Sequence, residues 1–424
     1  MRGLCFCSLT DNVYFCHMND SEYWKFIRDN ANADPAVLRL TYASKRSRMD
    51  FDFDDAVMQI EARRKSARKI PWFLALDCFR FPSLQASEQA SNQAVSLHHA
   101  RLVGAGKRVA DLTAGLGIDA MTIALQGNQV DAFEMEPHRA EVLGQNAWEL
   151  CLSDFNVHAG DSMKFLRDNP GVRYDWLFID PARRDTEGRR IFKLQDSLPN
   201  VIDNMDLLLG HASDILIKAS PLLDISQTIH DLEPFNRHWT IEIVSYRGEV
   251  KEVLIHMSES LSKDTVGVVD IADAPGFPHG DINVRYRFDT DYQYVGTPRV
   301  ADADDIVVGK YLYEAGAGMR KLRCAPLICG AFPYIKALSH DAELFVSDIL
   351  YPDFPGRINI IRGLLSGKEA KTLHGKHLRV VSSRYPVTAD DLRRKYRILE
   401  GDTRSLIATS PKAGKKLLML VDNV

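Results

Sequence analysis

Two apolar strands that end in short turns constrain the fold of this 424-residue chain more than any other feature. Residues 109–119, Val-Ala-Asp-Leu-Thr-Ala-Gly-Leu-Gly-Ile-Asp, predict a strand that enters a glycine turn and then a helix. Residues 175–181, Asp-Trp-Leu-Phe-Ile-Asp-Pro, predict a second strand, which ends at Asp180 and Pro181. This order of elements is typical of an open α/β sheet that binds a ligand outside the carboxyl ends of its strands.

The central part of the chain alternates between strands and helices, which predicts a mainly parallel sheet. The predicted strands lie near residues 108–112, 130–135, 155–158, 175–180, 213–219, 239–246 and 250–257. The predicted helices lie at residues 118–126, 137–150, 161–168 and 196–210. The short link Arg247-Gly248-Glu249 predicts a hairpin between the last two strands. A hairpin at the edge of seven strands favours a Rossmann-like sheet that differs from that of dinucleotide-dependent dehydrogenases.

The flanking segments predict further domains. The four predicted domains are residues 1–100, which are helical, 101–270, which form the sheet, 271–345, a small ferredoxin-like α+β segment, and 346–424, an α+β domain. The turn residues between Pro275 and Gly280 place a boundary after the sheet. The last domain combines a predicted helix at 388–396 with short strands on either side of it.

Charge is distributed unevenly along the chain. Residues 351–424 contain 15 Lys and Arg against seven Asp and Glu, whereas the whole chain has a net charge of −4. A basic module on an acidic body indicates either a surface that binds a polyanion or a solvated face, and the sequence leaves both open.

Composition also indicates the cellular compartment of the protein and whether the chain carries a metal site. The seven cysteines are scattered without a Cys-x-x-Cys pair, so neither a disulfide framework nor a metal site is predicted. No apolar run is long enough to span a membrane. The sequence therefore predicts a cytoplasmic protein.

The glycine turn indicates which cofactor the sheet binds. Gly115 and Gly117 allow the backbone to approach a ligand closely. A negative Asp119 at the start of the following helix disfavours a pyrophosphate there. S-adenosylmethionine (SAM) has no phosphate and carries two positive charges, so Asp111 and Asp119 favour it. Together with Thr113 in the same turn, these are candidate cofactor-binding residues.

The ends of the second and third strands supply further candidates. Glu134 is placed to accept hydrogen bonds from both ribose hydroxyls, and Met135 to pack against the adenine. Glu136 competes with Glu134 for this role, but its position favours a cap on the next helix. Asp161 is placed to bind the adenine amino group or to cap a helix, and the two roles are compatible.

The segment that begins at Asp180 is predicted to lie on the side of the cleft where the reaction takes place. Enzymes that methylate amino nitrogens often carry an acidic or amide residue, two prolines and an aromatic residue. Here Pro181 is kept, Ala182 replaces the second proline, and Arg183 replaces the aromatic ring. Arg183 stacks on a base more weakly than a ring and can bind phosphate. Because no cysteine follows the fifth strand, the chemistry of C5-uracil methyltransferases is not predicted.

Other polar residues are expected to face the same cleft. Lys218 and Ser220 lie at the end of the fifth strand, where Lys218 is predicted either to contact a substrate phosphate or to be a surface lysine. Gln89 and Ser91 precede the first strand, where they are expected to contact the carboxylate of the cofactor.

These motifs give the chain a resemblance to a bacterial family of class I methyltransferases with a THUMP-like C-terminal domain. The shared motifs are Glu88 to Ser91, Asp111 to Asp119 with Ala114 in place of the first glycine, Asp180 to Arg184, Lys218 to Asp224, Lys251 with Glu252, and Asp353 to Arg357. The turn at Asp111 is also similar to that of rRNA guanine-N2 methyltransferases.

The resemblance implies SAM-dependent methylation of a base nitrogen in RNA, either rRNA or tRNA, because THUMP domains of other enzymes bind RNA. Arg183, Arg184 and Lys218 would then guide an anionic substrate, and Arg393 and Arg394 would bind it in the basic C-terminal domain. Three alternatives remain open: methylation of a small molecule or protein, RNA binding without catalysis, and nucleotide-dependent oxidoreduction.

Overall fold

The computed structural model describes residues 22–182, 193–291, 297–323, 325–411 and 416–424. The α-helices are α1 Glu22–Asp29, α2 Pro35–Thr41, α3 Phe53–Ser66, α4 Pro71–Leu74, α5 Leu84–Gln89, α6 Gln93–Val103, α7 Ile118–Leu125, α8 Pro137–Glu149, α9 Ser162–Asp168, α10 Met205–His211, α11 Ile225–Leu232, α12 Ala317–Lys321, α13 Ala325–Ala331 and α14 Ala389–Tyr396. The strands are β1 Arg108–Asp111, β2 Gln129–Glu134, β3 Phe155–Ala159, β4 Tyr174–Ile179, β5 Ala212–Ala219, β6 His238–Tyr246, β7 Glu249–Ser258, β8 Thr265–Asp273, β9 Asn283–Asp291, β10 Tyr311–Ala315, β11 Lys336–Ala337, β12 Leu344–Ser347, β13 Gly356–Leu365, β14 Arg379–Ser383, β15 Arg404–Thr409 and β16 Leu417–Asn423.

The chain divides into two compact units. The first comprises the described residues within 1–237, 255–260 and 273–283, and the second comprises those within 238–254, 261–272 and 284–424. In the first unit the strands follow the order β3-β2-β1-β4-β5 and then the second half of β7. The pairs among β1 to β5 are parallel, which confirms the predicted α/β sheet.

The strands β6 to β9 belong mainly to the second unit. There the first half of β7 is followed by β6, β8 and β9. Arg247 and Gly248 have φ angles of 53° and 83°, a conformation that matches the twist of a tight hairpin, so the predicted β6–β7 hairpin is confirmed. The sequence did not predict β8 and β9, which lie on either side of the turn residues near Pro275.

The first three helices pack on a core of their own in the first unit. Trp24, Ile27, Phe53, Val57 and Ile60 are buried together there. The helix predicted from residue 87 to 102 is two helices, because Asn92 accepts a hydrogen bond from the Ala94 amide and begins α6 anew. The helix predicted at 196–210 begins only at residue 205.

The rest of the second unit is built on a seven-stranded sheet. Its strand order is β11-β12-β10-β13-β16-β15-β14, and α14 connects β14 to β15, which pair in parallel. Buried apolar residues form two clusters, one around Leu312 and Ile361 and one around Leu392 and Leu406. Strands from both sides of residue 346 share this sheet. The division into four domains stays a prediction.

Within the described residues, no helix has the length and apolar character needed to cross a membrane.

Candidate active site

Four polar side chains lie where neighbouring parallel strands of the first unit end. They are Asp111 at the end of β1, Glu134 at the end of β2, Asp180 directly after β4, and Lys218 one residue before the end of β5. The order of the strands along the chain reverses between β1 and β4, and ligands of open α/β sheets bind at such a point.

The glycine turn after β1 has the backbone that the sequence predicted. Gly117 caps α7 with a φ of 84°, and a β-carbon there would lie 2.0 Å from Cδ1 of Leu143. Gly115 has a φ of 56°, and the nearest atom to a β-carbon there would be the carbonyl oxygen of Thr113 at 3.9 Å. Glycine at position 117 is therefore favoured by the backbone conformation and by the nearby Leu143 side chain, whereas the space beside Gly115 is open.

Glu134 is oriented by backbone amides. The Gly115 amide donates to its Oε2 at 3.0 Å, and the Glu136 amide donates to its Oε1 at 2.9 Å. Glu136 instead caps α8, as its position indicated, since its carboxylate accepts from the amides of His138 and Arg139. The two neighbouring acids thus have separate roles, and the turn after β1 is tied to the end of β2.

Asp111 is buried below the turn. Its Oδ1 accepts a hydrogen bond from the Thr113 amide at 3.0 Å. Burial raises the pKa of Asp111 to about 8, although the Thr113 amide acts in the opposite direction. The Thr113 hydroxyl in turn accepts from the Asp180 amide at 2.6 Å, which joins the turn to the end of β4.

Replacing Asp111 with asparagine is expected to flatten the dependence of stability on pH. With a pKa near 8, the folded protein keeps this proton between pH 4 and pH 8, while the unfolded chain has lost it. The free energy of unfolding therefore falls as pH rises through this window, by up to about 1.4 kcal/mol per pH unit. Urea denaturation at several pH values should show this slope in the wild type and lose it in Asp111→Asn, which keeps an oxygen for the Thr113 amide. The exposed Asp206→Asn is the control, and equal slopes in all three proteins would contradict the assignment.

Lys218 is buried, whereas the sequence predicted a lysine that contacts a substrate phosphate or lies at the surface. Its side chain is 2 % exposed. Its ammonium donates to Asp180 Oδ2 at 2.5 Å, to Ser91 Oγ at 2.7 Å and to Asp119 Oδ2 at 3.2 Å. Asp119 also contacts His99, with 2.9 Å between Oδ1 and Nδ1. Burial acts to raise the pKa of Asp119, but Lys218 and His99 hold it well below its usual range.

The remaining predicted residues of the first unit lie near the same strand ends. Asp161 follows β3 and caps α9 with Oδ1, which accepts from two amides. Met135 is 69 % exposed. The Ser220 hydroxyl accepts from the Leu222 amide at 3.2 Å, and Gln89 is exposed at the end of α5. Their predicted ligand contacts stay predictions.

Two pairs of arginines were also predicted to contact the substrate. Arg183 and Arg184 are outside the described residues. Arg393 and Arg394 belong to α14 in the second unit, and the Arg394 side chain is 78 % exposed while it donates to Asp391 at 2.6 Å.

The sequence did not predict the contacts that join α6 to α7 and to the sheet. The sequence predicted no role for His99, yet its ring is fully buried against Asp119 and Phe178. The helical pattern of α6 buries both His98 and His99. Since a buried imidazole requires a polar partner, this pattern could have predicted a contact such as that with Asp119.

No protein-family model matches the chain, and no curated protein matches it in sequence. The chain is similar in structure to a proposed methyltransferase from Porphyromonas gingivalis W83, with a TM-score of 0.78, 22 % identity, and coverage of 97 % of this chain and 100 % of that one. A proposed RNA methyltransferase from Pyrococcus horikoshii matches with a TM-score of 0.27 and 18 % identity, over 43 % of this chain and 88 % of that one. The precorrin-6y C5,15-methyltransferase from Geobacter metallireducens GS-15 matches with a TM-score of 0.30 and 16 % identity, over 40 % of this chain and 90 % of that one.

The last two similarities are too weak to support an argument about this chain. The first covers the described units almost completely and establishes the fold. Together with the strand order β3-β2-β1-β4-β5-β7 and the glycine turn after β1, it shows that the chain has the Rossmann-like fold of class I methyltransferases.

Proposed function

We propose that the protein is a SAM-dependent methyltransferase of the cytoplasm that methylates a base nitrogen in RNA. The observation that carries the proposal is the carboxylate of Glu134, which lies beside the open turn at Gly115. Both of its oxygens accept backbone hydrogen bonds, and each keeps a lone pair for a further donor. The two hydroxyls of a ribose fit these acceptors. The open space beside Gly115 allows the cofactor to approach the protein backbone there.

The other cofactor residues extend this arrangement. Both capping bonds of Asp161 use Oδ1, which leaves Oδ2 for the amino group of an adenine. The exposed Met135 supplies an apolar surface for the adenine ring. Asp111, with Thr113 in the turn, is proposed to lie toward the cationic end of SAM, where a bound positive charge would favour the ionised form of its carboxyl group. These hydrogen-bond acceptors, together with the apolar surface of Met135, therefore fit a cationic nucleoside.

Asp180 is the proposed acceptor-binding residue, with Pro181 fixing the chain that follows it. The bound cofactor supplies a methyl group on a positively charged sulfur. When the lone pair of an amino nitrogen forms a bond to that carbon, the carbon–sulfur bond breaks and positive charge develops on the nitrogen. The Asp180 carboxylate accepts a hydrogen bond from this nitrogen, orients its lone pair and stabilises the charge, and the proton then leaves to water.

RNA is the proposed acceptor because of the charge of the C-terminal residues. The excess of Lys and Arg in residues 351–424 includes Arg393 and Arg394 of α14, which we propose to bind phosphates. Arg183, Arg184 and Ser220 are proposed to contact the RNA near the acceptor. The THUMP-like character of this part of the chain belongs to the proposal.

Calorimetric titration with SAM tests the cofactor assignment. Glu134→Ala is expected to weaken SAM binding about 30-fold, because a hydrogen bond to a charged group contributes about 2 kcal/mol. Glu136→Ala is the matched control, since it removes a neighbouring carboxylate that caps α8 and pairs with Arg139, and its affinity should match that of the wild type. Failure of the wild type to bind SAM would sink the cofactor assignment.

Transfer of a radioactive methyl group from SAM to a cell extract identifies the acceptor. Label that ribonuclease releases and protease does not would support RNA, and mass spectrometry of the nucleosides would locate the methylated nitrogen. Label in protein or in small molecules would overturn the RNA assignment while leaving the methyltransferase assignment intact.

A further inference from the structure

The ammonium of Lys218 lies at the meeting point of three separate elements. Its partners are Ser91 before α6, Asp119 in the first turn of α7, and Asp180 after β4. An ammonium has three protons to donate, and these three oxygens come from different elements. Lys218 therefore fixes the position of Asp180 relative to the rest of the strand ends.

Asp180 is the most exposed of the three charged side chains in this group. Its side chain is 25 % exposed, compared with 9 % for Asp119 and 2 % for Lys218. Lys218 binds Oδ2, and within the described part of the chain the structure shows no hydrogen bond to Oδ1. The Asp180 carboxylate thus has one oxygen held from inside and one that can receive a ligand.

Asp119, the partner of Lys218 on α7, is itself held by two further residues. Asp119 accepts from the Ser91 hydroxyl and contacts the buried ring of His99. Because Asp119 stays ionised and is held at both oxygens, it keeps the flexible Lys218 side chain in one position. The charge of Lys218 is balanced by protein carboxylates, which explains why the lysine is buried and not directed to a phosphate.

We propose that Lys218 is a positioning residue, which holds the Asp180 carboxylate so that Oδ1 receives the amino group to be methylated. Asp119, with His99 and Ser91, holds Lys218 in turn. The inference rests on the proposed methyltransferase function and assigns to Lys218 a role through Asp180, without contact to the substrate.

The main test compares Lys218→Met in the wild-type and Asp180→Ala backgrounds. We expect Lys218→Met to bind SAM within about threefold of the wild type and to lose about 100-fold in kcat per calorimetrically titrated SAM site. In the Asp180→Ala background the same substitution should change kcat less than about twofold, because Lys218 acts through Asp180. Lys164→Met, which breaks the exposed pair with Asp168, is the control and should leave kcat unchanged.

A purely structural role predicts a different result, since loss of folded protein lowers the number of SAM sites and leaves kcat per site unchanged. Should Lys218→Met fail to fold because Asp119 loses its counterion, the neutral pair Asp119→Asn with Lys218→Met replaces it. Equal losses in both backgrounds, or no loss, would overturn the proposal.

Crystal structures of the wild type and the folded Lys218 variant separate this inference from the proposed function. We expect the Asp180 carboxylate to take a new orientation when Lys218 is removed, and an unchanged orientation would overturn the positioning role. If the wild type transfers no methyl group, the proposed function fails, and the crystallographic comparison still decides whether Lys218 positions Asp180.

Discussion

Gly117→Arg is expected to abolish SAM binding, with an affinity loss of more than about 1000-fold. The backbone of Gly117 has a φ of 84°, and a β-carbon there would lie 2.0 Å from Leu143 on α8. Either Leu143 or the turn must shift to accept a side chain, and the turn carries the amide of Gly115 that orients Glu134. The arginine also adds positive charge where a cationic cofactor is proposed to bind. Calorimetric titration of the purified variant with SAM measures the loss.

Gly127→Arg is the matched control for this prediction. Gly127 follows the other end of α7 and has a φ of 87°, so a side chain there costs about the same 1–2 kcal/mol of backbone strain. However, no atom lies within 4 Å of a β-carbon at Gly127. Gly127→Arg should therefore lose stability and keep its affinity for SAM. If both variants bind SAM as the wild type does, the turn after β1 is not the cofactor site.

The parts of the fold that depend on local sequence were predictable. The strands β1 to β7 are short apolar runs with turn residues at their ends, and each was predicted within about two residues. The capping role of Glu136 was also predictable, because Pro137 marks the first turn of α8. In both cases the signal lies within a few residues of the position that it describes.

The environment of Lys218 was not predictable from local sequence. Its bonds to Ser91 and Asp119 join positions that are separated by 127 and 99 residues. A lysine at the end of a strand is ordinarily exposed, and only the packing of α6 and α7 against each other brings its partners together. The same applies to His99, whose partner Asp119 is on the next helix. Site geometry that arises from several elements requires the three-dimensional structure.

Asp180→Ala is expected to lower kcat for methyl transfer about 1000-fold while it leaves the affinity for SAM within about threefold. The carboxylate is proposed to stabilise positive charge that develops on the acceptor nitrogen, and such charge exists only as the new bond forms. Loss of the side chain therefore affects the transition state far more than the binding of the cofactor. Lys218 keeps Asp119 and Ser91 as partners in this variant, so we expect the protein to fold.

The comparison of Asp180→Ala with two further variants separates charge from shape. Asp180→Asn keeps an oxygen that accepts a hydrogen bond and removes the negative charge, so its kcat should lie between those of Asp180→Ala and the wild type. Asp168→Ala removes an exposed carboxylate of α9 and should transfer methyl groups at the wild-type rate. Initial rates with saturating SAM and acceptor measure all three. A kcat of Asp180→Ala within tenfold of the wild type would show that Asp180 does not orient the acceptor, and the catalytic residue would then have to be sought elsewhere along the carboxyl ends of the strands.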